Sequence, residues 1–548
     1  MSTKWNNSVK TQKLLTNPFL KTAYCFIFIP VIKTIIPTNE RSSGNMPELL
    51  LGIDLGTSSI KVSVVDAATT QCIASAQFPE TEAGITSLQT GWAEQSPESW
   101  WQYTIQAIKN LNAAGKYDPL AIKAIGIAYQ MHGLVLVDKH QEVLRDSIIW
   151  CDSRAVEIGN NAFEKIGPDK CLSCLLNSPG NFTASKLAWV KDNEPDIFKQ
   201  VDKMMLPGDF IAMKLTGAIT TTTSALSEGV FWDFKKDEIS KDVLDHYGLD
   251  ENCIPKIKPV FSEHGFLLPQ VADELSLKEN IPVTYKAGDQ LNNALSLNVL
   301  QPGEVAATAG TSGVIYAVTD QLFADKFSRV NAFAHVNHKA SPSGGARLGV
   351  LLCINGTGIM NSWIKKLCGD DLNYDEINAE AATIQPGSEG LFILPFGNGA
   401  ERMLQNKLIG AHISNIDLNK HTKEHIFRAV QEGIAFAFRY GLDIMKENGL
   451  QPTIIRAGKS NLFLSDVFVQ SFVDATGVAV ELYANDGSVG AALGAGIGAG
   501  VYKTFEEAFK NFKPLKKIEP GNTESDSYQA YDKLYAGWKK MLENYLNG

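Results

Sequence analysis

Two carboxylates stand where short apolar strands run out into glycine-bearing turns. Asp54 closes Leu49-Leu50-Leu51-Gly52-Ile53 just ahead of Gly56-Thr57, and Asp289 follows Val283-Thr284-Tyr285-Lys286-Ala287 between Gly288 and Gln290. An acid at the end of a strand reaches a cleft, where it is able to hold a divalent cation or its waters, or to take a proton from a hydroxyl. Each acid also has an ordinary structural use, Asp54 in an Asx turn and Asp289 as the N-cap of a helix entered at Leu291. The residues alone leave these readings open. Hydroxyls accompany the acids: Leu55 to Asp66 reads LGTSSIKVSVVD and Ala309 to Asp320 reads AGTSGVIYAVTD, with Gly-Thr-Ser and the closing Asp in constant register. Each copy predicts a strand, a tight hydroxyl-bearing turn and a returning strand. A pair of such turns presents backbone N–H groups and hydroxyls to a polyphosphate from two sides.

The elements that must position these groups follow from the patterning. After Met46 the chain alternates β-rich runs with longer helical patterns, punctuated by Gly and Pro, which predicts an α/β class. Gly, Thr and Ser are common turn residues, so two unrelated hairpins would share them; register kept along the whole repeat favours a duplicated domain instead. The boundary is expected near Gln301-Pro302-Gly303, giving residues 46–300 and 301–548 as two domains. Residues 1–45 do not fit either. Their apolar run Ala23 to Ile32 is broken by Pro30, is too short to span a membrane and has no small-residue cleavage site after it. We expect this segment to be an extension outside the fold.

Composition narrows the partners. The 548 residues are 44% hydrophobic and 20% charged, enough apolar material for large cores and no sign of a disordered chain. With 50 Lys and Arg against 60 Asp and Glu, the net charge of −10 offers no broad surface to nucleic acid or to an anionic membrane. An anionic ligand therefore needs a local site. The eight cysteines are scattered, and the lone Cys171-x-x-Cys174 lacks a second pair to complete a zinc site, which places the chain in a reduced, cytoplasmic setting.

Two rival nucleotide motifs fail on inspection. Thr453 to Ser460 (TIIRAGKS) ends like a P-loop, but Thr453 stands where the first glycine is needed. Gly494-Ala495-Gly496-Ile497-Gly498-Ala499 fits the loose dinucleotide fingerprint, yet it lies in a small-residue run, Gly487 to Gly500, that reads as helix, with no acidic-ended strand after it. Small residues so spaced let a helix approach a neighbour or a nucleotide at backbone distance.

Taken in order, the motifs resemble the FGGY carbohydrate kinases. The matching stretches are Gly52-Ile53-Asp54-Leu55-Gly56-Thr57, Gly91-Trp92-Ala93-Glu94-Gln95 with Trp100-Trp101, and Gly126-Ile127-Ala128-Tyr129-Gln130-Met131-His132-Gly133. They continue through Trp150-Cys151-Asp152-Ser153-Arg154, Leu206-Pro207-Gly208-Asp209, Ala287-Gly288-Asp289-Gln290, Gly310-Thr311-Ser312 and Arg428-Ala429-Val430-Gln431-Glu432-Gly433. The resemblance runs from residue 49 nearly to the end. It implies two actin-like, ribonuclease-H-like α/β domains with ATP in the cleft between them, and the Gln-Met-His-Gly segment points to the members that act on xylulose. Two departures stand out: Arg456-Ala457-Gly458-Lys459-Ser460 replaces the usual triple-glycine adenosine loop, and Gln290 replaces the usual Asn.

By resemblance Asp289 is the general base for the attacking sugar hydroxyl, and Asp54 belongs to the Mg²⁺ and phosphate site. Met131, His132, Trp150, Arg154 and Gln290 are implied at the sugar, although Asp152 and Arg154 have the equal alternative of pairing with each other on the surface, and a lone His after a strand is often structural. Thr57, Ser58, Gly310, Thr311 and Ser312 are implied at the phosphates, with Gly458, Lys459 and Asn485 by the adenosine. The implied activity is phosphorylation of xylulose by Mg-ATP. Other pentuloses, polyols and gluconate remain as substrates, and a non-catalytic sugar sensor or actin-like assembly protein is the contrasting class. Some relatives are dimers, so a homodimer is compatible with the family.

Overall fold

Leu49–Leu55 (β1) is apolar on both faces, which leaves no side for water and makes it an interior strand. It turns back into Ile60–Asp66 (β2) as an antiparallel hairpin with Leu55 opposite Ile60. Cys72–Phe78 (β3) pairs antiparallel with β2, and Ile122–Tyr129 (β4) lies parallel to β1 on its other side. Phe261–Phe266 (β5) and Pro282–Gly288 (β6) complete a six-stranded sheet in the order β5-β6-β4-β1-β2-β3. This computed structural model describes residues 48–339, 345–521 and 526–547; the expected extension at residues 1–45 lies outside the described residues.

The second sheet repeats the plan. Glu304–Ala309 (β7) and Gly313–Thr319 (β8) form the echoing hairpin. Asn331–Ala334 (β9), Leu348–Ile354 (β10), Ile454–Gly458 (β11), Val480–Tyr483 (β12) and Lys516–Ile518 (β13) extend it to β9-β10-β8-β7-β11-β12-β13. In both sheets the hairpin has an antiparallel strand beyond its returning arm and parallel strands beyond its first arm. The twelve-residue echo in the sequence is thus the visible part of a repeated topology.

Both sheets belong to one compact unit, Pro47–Gly548. The helix Gly487–Gly498, late in the chain, packs on the first sheet. It does so at backbone distance. A Cβ on Gly52 would stand 2.6 Å from Ala492 N, and one on Gly126 would stand 2.8 Å from the carbonyl carbon of Ala491, with Ser488 O and Ala491 O nearer still. The Ser63 and Ser488 hydroxyls share a hydrogen bond at 2.8 Å, and Thr284 Oγ1 donates to Ala495 O at 2.8 Å. The small-residue run is therefore a packing face against a neighbouring sheet. The helix stops at Gly498, and Gly500 takes φ +71°, a conformation that favours glycine.

Candidate active site

The ends of β1 and β6 bring the two acids together. Asp289 is the first residue of the helix Asp289–Ser296 (α1), and Gly288 is its N-cap. The sequence placed Asp289 at the cap and the helix start at Leu291; the helix begins two residues earlier, because the strand leads into it without a turn. Burial pushes the Asp289 carboxyl up to about 6, against hydrogen bonds from Gln290 that favour its charged form. Asp54 is pushed up to about 7, first by burial, then by the charges of Asp289 and Asp486, with Lys61 acting in the opposite sense. Two acids raised by burial, with Asp289 raising Asp54 further, suit a site that receives a proton and a cation.

Gly487–Gly498 (α2) opens directly on Asp54. A Cβ on Gly487 would lie 2.9 Å from Asp54 Cγ and closer to Oδ2, so the carboxylate occupies the space that glycine leaves. Asp486 caps this helix, accepting from Ser488 N at 2.9 Å, and forms an ion pair with Lys61. Asn292 on α1 donates to Gly487 O (2.8 Å), and Asn485 donates to Asn293 Oδ1 (2.8 Å), which ties the helix that begins at Asp289 to the start of α2.

A hydrogen-bonded relay holds the first hairpin turn. Gln95 Nε2 donates to Thr57 O (2.8 Å), Gln130 Nε2 donates to Gln95 Oε1 (3.1 Å), and the Trp100 indole donates to the same oxygen (3.1 Å). The Thr57 hydroxyl donates to Gln130 Oε1 (3.2 Å) and accepts from the exposed Trp150 indole (2.9 Å). Its remaining lone pair and the exposed Ser58 face outward. Gln95 and Gln130 stood inside recognised motifs, but their joint role needed the tertiary contacts to appear.

Beside the strand end that carries Asp289 stand Met131, His132 and a group of aromatic rings. Gly288 has Met131 Cγ and Glu228 Oε2 at 2.6 and 2.7 Å from where a Cβ would be, so the strand end packs tightly on both. His132 adopts φ +60° and packs on Phe182 (4.9 Å, edge-on) and on Phe333 of β9 (5.5 Å). Burial, with the nearby Lys186 ammonium, brings His132 down to about 3, so the ring is neutral. Its Nδ1 faces Glu228 O at 3.0 Å; a carbonyl only accepts, which puts the proton on Nδ1 and leaves the Nε2 lone pair to accept from a hydroxyl. Lys186 donates to His132 O (2.8 Å) and Ile149 O (2.9 Å).

Arg154 pairs with Asp152, as one of its two readings has it, but in the interior. It is buried, not at the surface, and its guanidinium is engaged by Asp152 (Nη2 to Oδ2, 2.7 Å; Nε to Oδ2, 2.9 Å) and Glu94 (2.7 Å) while stacking on Trp92 at 3.8 Å. Asp152 also accepts from Ala93 N at 2.6 Å. The pair therefore braces the segment from Trp92 to Gln95. Gln290 stays beside the base, and its Oε1 is buried with no partner among the described residues.

On the opposite side, the second hairpin turn borders a cavity of about 430 Å³ lined in part by Gly310, Thr311, Gly358, Asn361, Asn461 and Ser465. Thr311 and Ser312 are exposed at the turn, and Thr357 Oγ1 and Gly358 N both donate to Gly310 O (3.2 and 2.9 Å). Gly458 approaches Asn485 across the β11 end, and Lys459 N donates to Tyr483 O (2.8 Å), leaving its side chain in solvent. The departing Arg456 is accounted for: its guanidinium lies between Glu304 and Glu481 on the flanking strands (both 3.1 Å), a cross-strand bridge away from the cavity.

Two sheets of one plan, each offering a hydroxyl-bearing turn, with two acids at strand ends of the first, make the architecture of a two-lobed phosphotransferase. The chain belongs to the FGGY family of carbohydrate kinases, whose N-terminal domain matches residues 49–296 and whose C-terminal domain matches residues 305–501. It is a carbohydrate kinase, with a sugar and ATP as its substrates. It is 29% identical to the xylulose kinase of Escherichia coli K12 over 509 residues, 91% of this chain and 99% of that one. The crystal structure of a xyloylose (xylulose) kinase from Brucella ovis superposes with TM-score 0.80 at 27% identity, covering 90% and 98% of the two chains. A gluconate kinase from Lactobacillus acidophilus shares the fold, with TM-score 0.81 at 21% identity and coverage of 91% and 98%. Among the described residues no helix is long and apolar enough to cross a membrane.

Proposed function

We propose that the protein transfers the γ-phosphoryl group of ATP to D-xylulose, forming D-xylulose 5-phosphate, with Asp289 as the general base. The observation that carries this reading is the buried Asp289 carboxyl directly after Gly288, which packs on Met131, the chain neighbour of a neutral His132. The sugar hydroxyl gives its proton to Asp289, its oxygen bonds to the γ-phosphorus, and ADP departs with the bridging electron pair. His132 Nε2 accepts from a second hydroxyl and orients the sugar. The turns at Thr57-Ser58 and Gly310-Thr311-Ser312 receive the phosphates, with Gly458, Lys459 and Asn485 by the adenosine.

The donor set fits Mg²⁺. Asp54 is a carboxylate oxygen donor at a strand end, held against the start of α2, of the kind a hydrated Mg²⁺ accepts. Asp54 would hold the ion or its waters, and the ion would supply charge neutralisation at the phosphates. We also assign residues 46–300 to sugar and phosphate binding and residues 301–548 to the nucleotide, with α2 as the late segment that closes on the first sheet.

Gln290 supports a second reading within the same chemistry. Its unpartnered Oε1 reaches one methylene further than an Asn, which favours a sugar with a different hydroxyl pattern, such as another pentulose, a polyol or gluconate. ADP release measured over a panel of these compounds tests both. D-xylulose should give the highest kcat/KM; a higher value for another member transfers the assignment to it, and the absence of any sugar-dependent turnover would leave a sugar sensor.

A further inference from the structure

We infer that Arg402 is the cation that grips the phosphoryl group in transit between the nucleotide and the sugar. Most cations around the site are already engaged: Arg154 by Asp152 and Glu94, Lys286 by Asp209 (2.6 Å), Lys186 by two carbonyls, Lys61 by Asp486 and Arg456 by Glu304 and Glu481. Arg402 is half-buried and, among the described residues, makes no ion pair and no side-chain hydrogen bond. An unengaged guanidinium removed from bulk water calls for an anion, and its planar fork matches two phosphoryl oxygens.

Its location follows from its neighbour. Glu401 is fully buried and accepts from Asn355 N (3.0 Å) and Gly356 N (3.1 Å). The next residues, Thr357 and Gly358, hold Gly310 O of the second hairpin turn. Arg402 is thereby fixed in one rigid set of bonds with the turn assigned to the phosphates. On its other side its guanidinium lies 5.9 Å from the Phe182 ring, which packs at 4.9 Å on His132 of the sugar wall. Burial lowers the guanidinium from its ordinary value, and its charge acts on both His132 and Cys353 at the end of β10. Arg402 thus spans the gap that the phosphoryl group crosses. The oxygen–phosphorus bond to the sugar forms as the bond to the ADP oxygen breaks, the hydroxyl proton goes to Asp289, and Arg402 stays charged throughout while pairing with the non-bridging oxygens.

The inference rests on the kinase reading of the site and not on which sugar is used. Arg402→Ala and Arg402→Lys should be compared with the unaltered protein by steady-state kinetics on its best sugar and by calorimetric titration of inorganic phosphate in the presence of ADP. We expect Arg402→Ala to lower kcat by about 10²- to 10³-fold with the sugar KM within threefold, partial recovery in Arg402→Lys or with added guanidinium, and at least a tenfold loss of phosphate affinity. A retained kcat, a loss confined to the sugar KM, or unchanged phosphate binding overturns the inference. Should the unaltered protein turn over no sugar, the kinase reading of its pocket fails, and the phosphate titration alone decides the role of Arg402. Matching thermal unfolding of the variants separates these outcomes from misfolding.

Discussion

Gly487→Ala isolates the placement of Asp54 from the stability of the fold. The added methyl group would stand 2.9 Å from Asp54 Cγ, whereas an ordinary carbon contact is about 3.5–4 Å, so the carboxyl group must retreat by roughly 1 Å. The atoms met belong to the end of a short side chain and not to backbone, so the movement is local. Alanine also suits the first turn of a helix better than glycine, and α2 should not weaken. A misplacement of this size in a phosphoryl-transfer site costs about 10²-fold, or about 2.7 kcal/mol of transition-state stabilisation. We therefore expect kcat/KM, measured by coupled ADP release, to fall about 10²-fold while Tm stays within a few degrees. The same change made on an Asp54→Ala background should cost almost nothing more, because the carboxylate it displaces is gone. A Gly487→Ala enzyme within threefold of normal kcat/KM, or one losing the same factor on the Asp54→Ala background, refutes the assignment of Asp54.

Asp289→Asn should lower kcat by about 10²- to 10⁴-fold while sugar and ATP still bind, and calorimetry with near-normal turnover would remove Asp289 as base. The base works ionised, and burial raises its pKa, so kcat/KM should be present above about 6 and be lost as pH falls through that value; a flat profile from pH 7 to 5 contradicts it. His132→Ala should raise the sugar KM about tenfold through loss of the Nε2 acceptor, with the ATP KM unchanged; an unaltered sugar KM takes His132 out of the pocket. Gly126→Ala forces β4 from the backbone of α2 and should destabilise by about 1–3 kcal/mol, seen as a lowered Tm; an unchanged Tm contradicts the close approach.

Much of the architecture was legible because it rests on local pattern. Apolar runs fix β1, β4 and β6 as interior strands, and the Gly-Thr-Ser echo announces two hairpins that the sheets repeat in the same strand order. The small-residue run announces a helix meant for close contact. The motif order also led to the family, and hence to Asp54, Asp289, Met131 and His132. Arg154 stayed open because a charged residue in a motif has the same letters whether it faces a ligand or a partner; the buried Asp152 and Glu94 that engage it become neighbours only through folding.

By itself the sequence determined the repeated α/β plan, the two acids at strand ends and the hydroxyl-bearing turns, since strand patterning and turn chemistry act over a few residues. Only the tertiary structure decided which surface α2 covers, how Arg456 is neutralised, which nitrogen of His132 is left to accept, and that Arg402 has no ion-pair partner among the described residues. Those are properties of groups far apart in the chain and close in space. Burial then sets their charge, and it is what raises the acids and holds the histidine neutral.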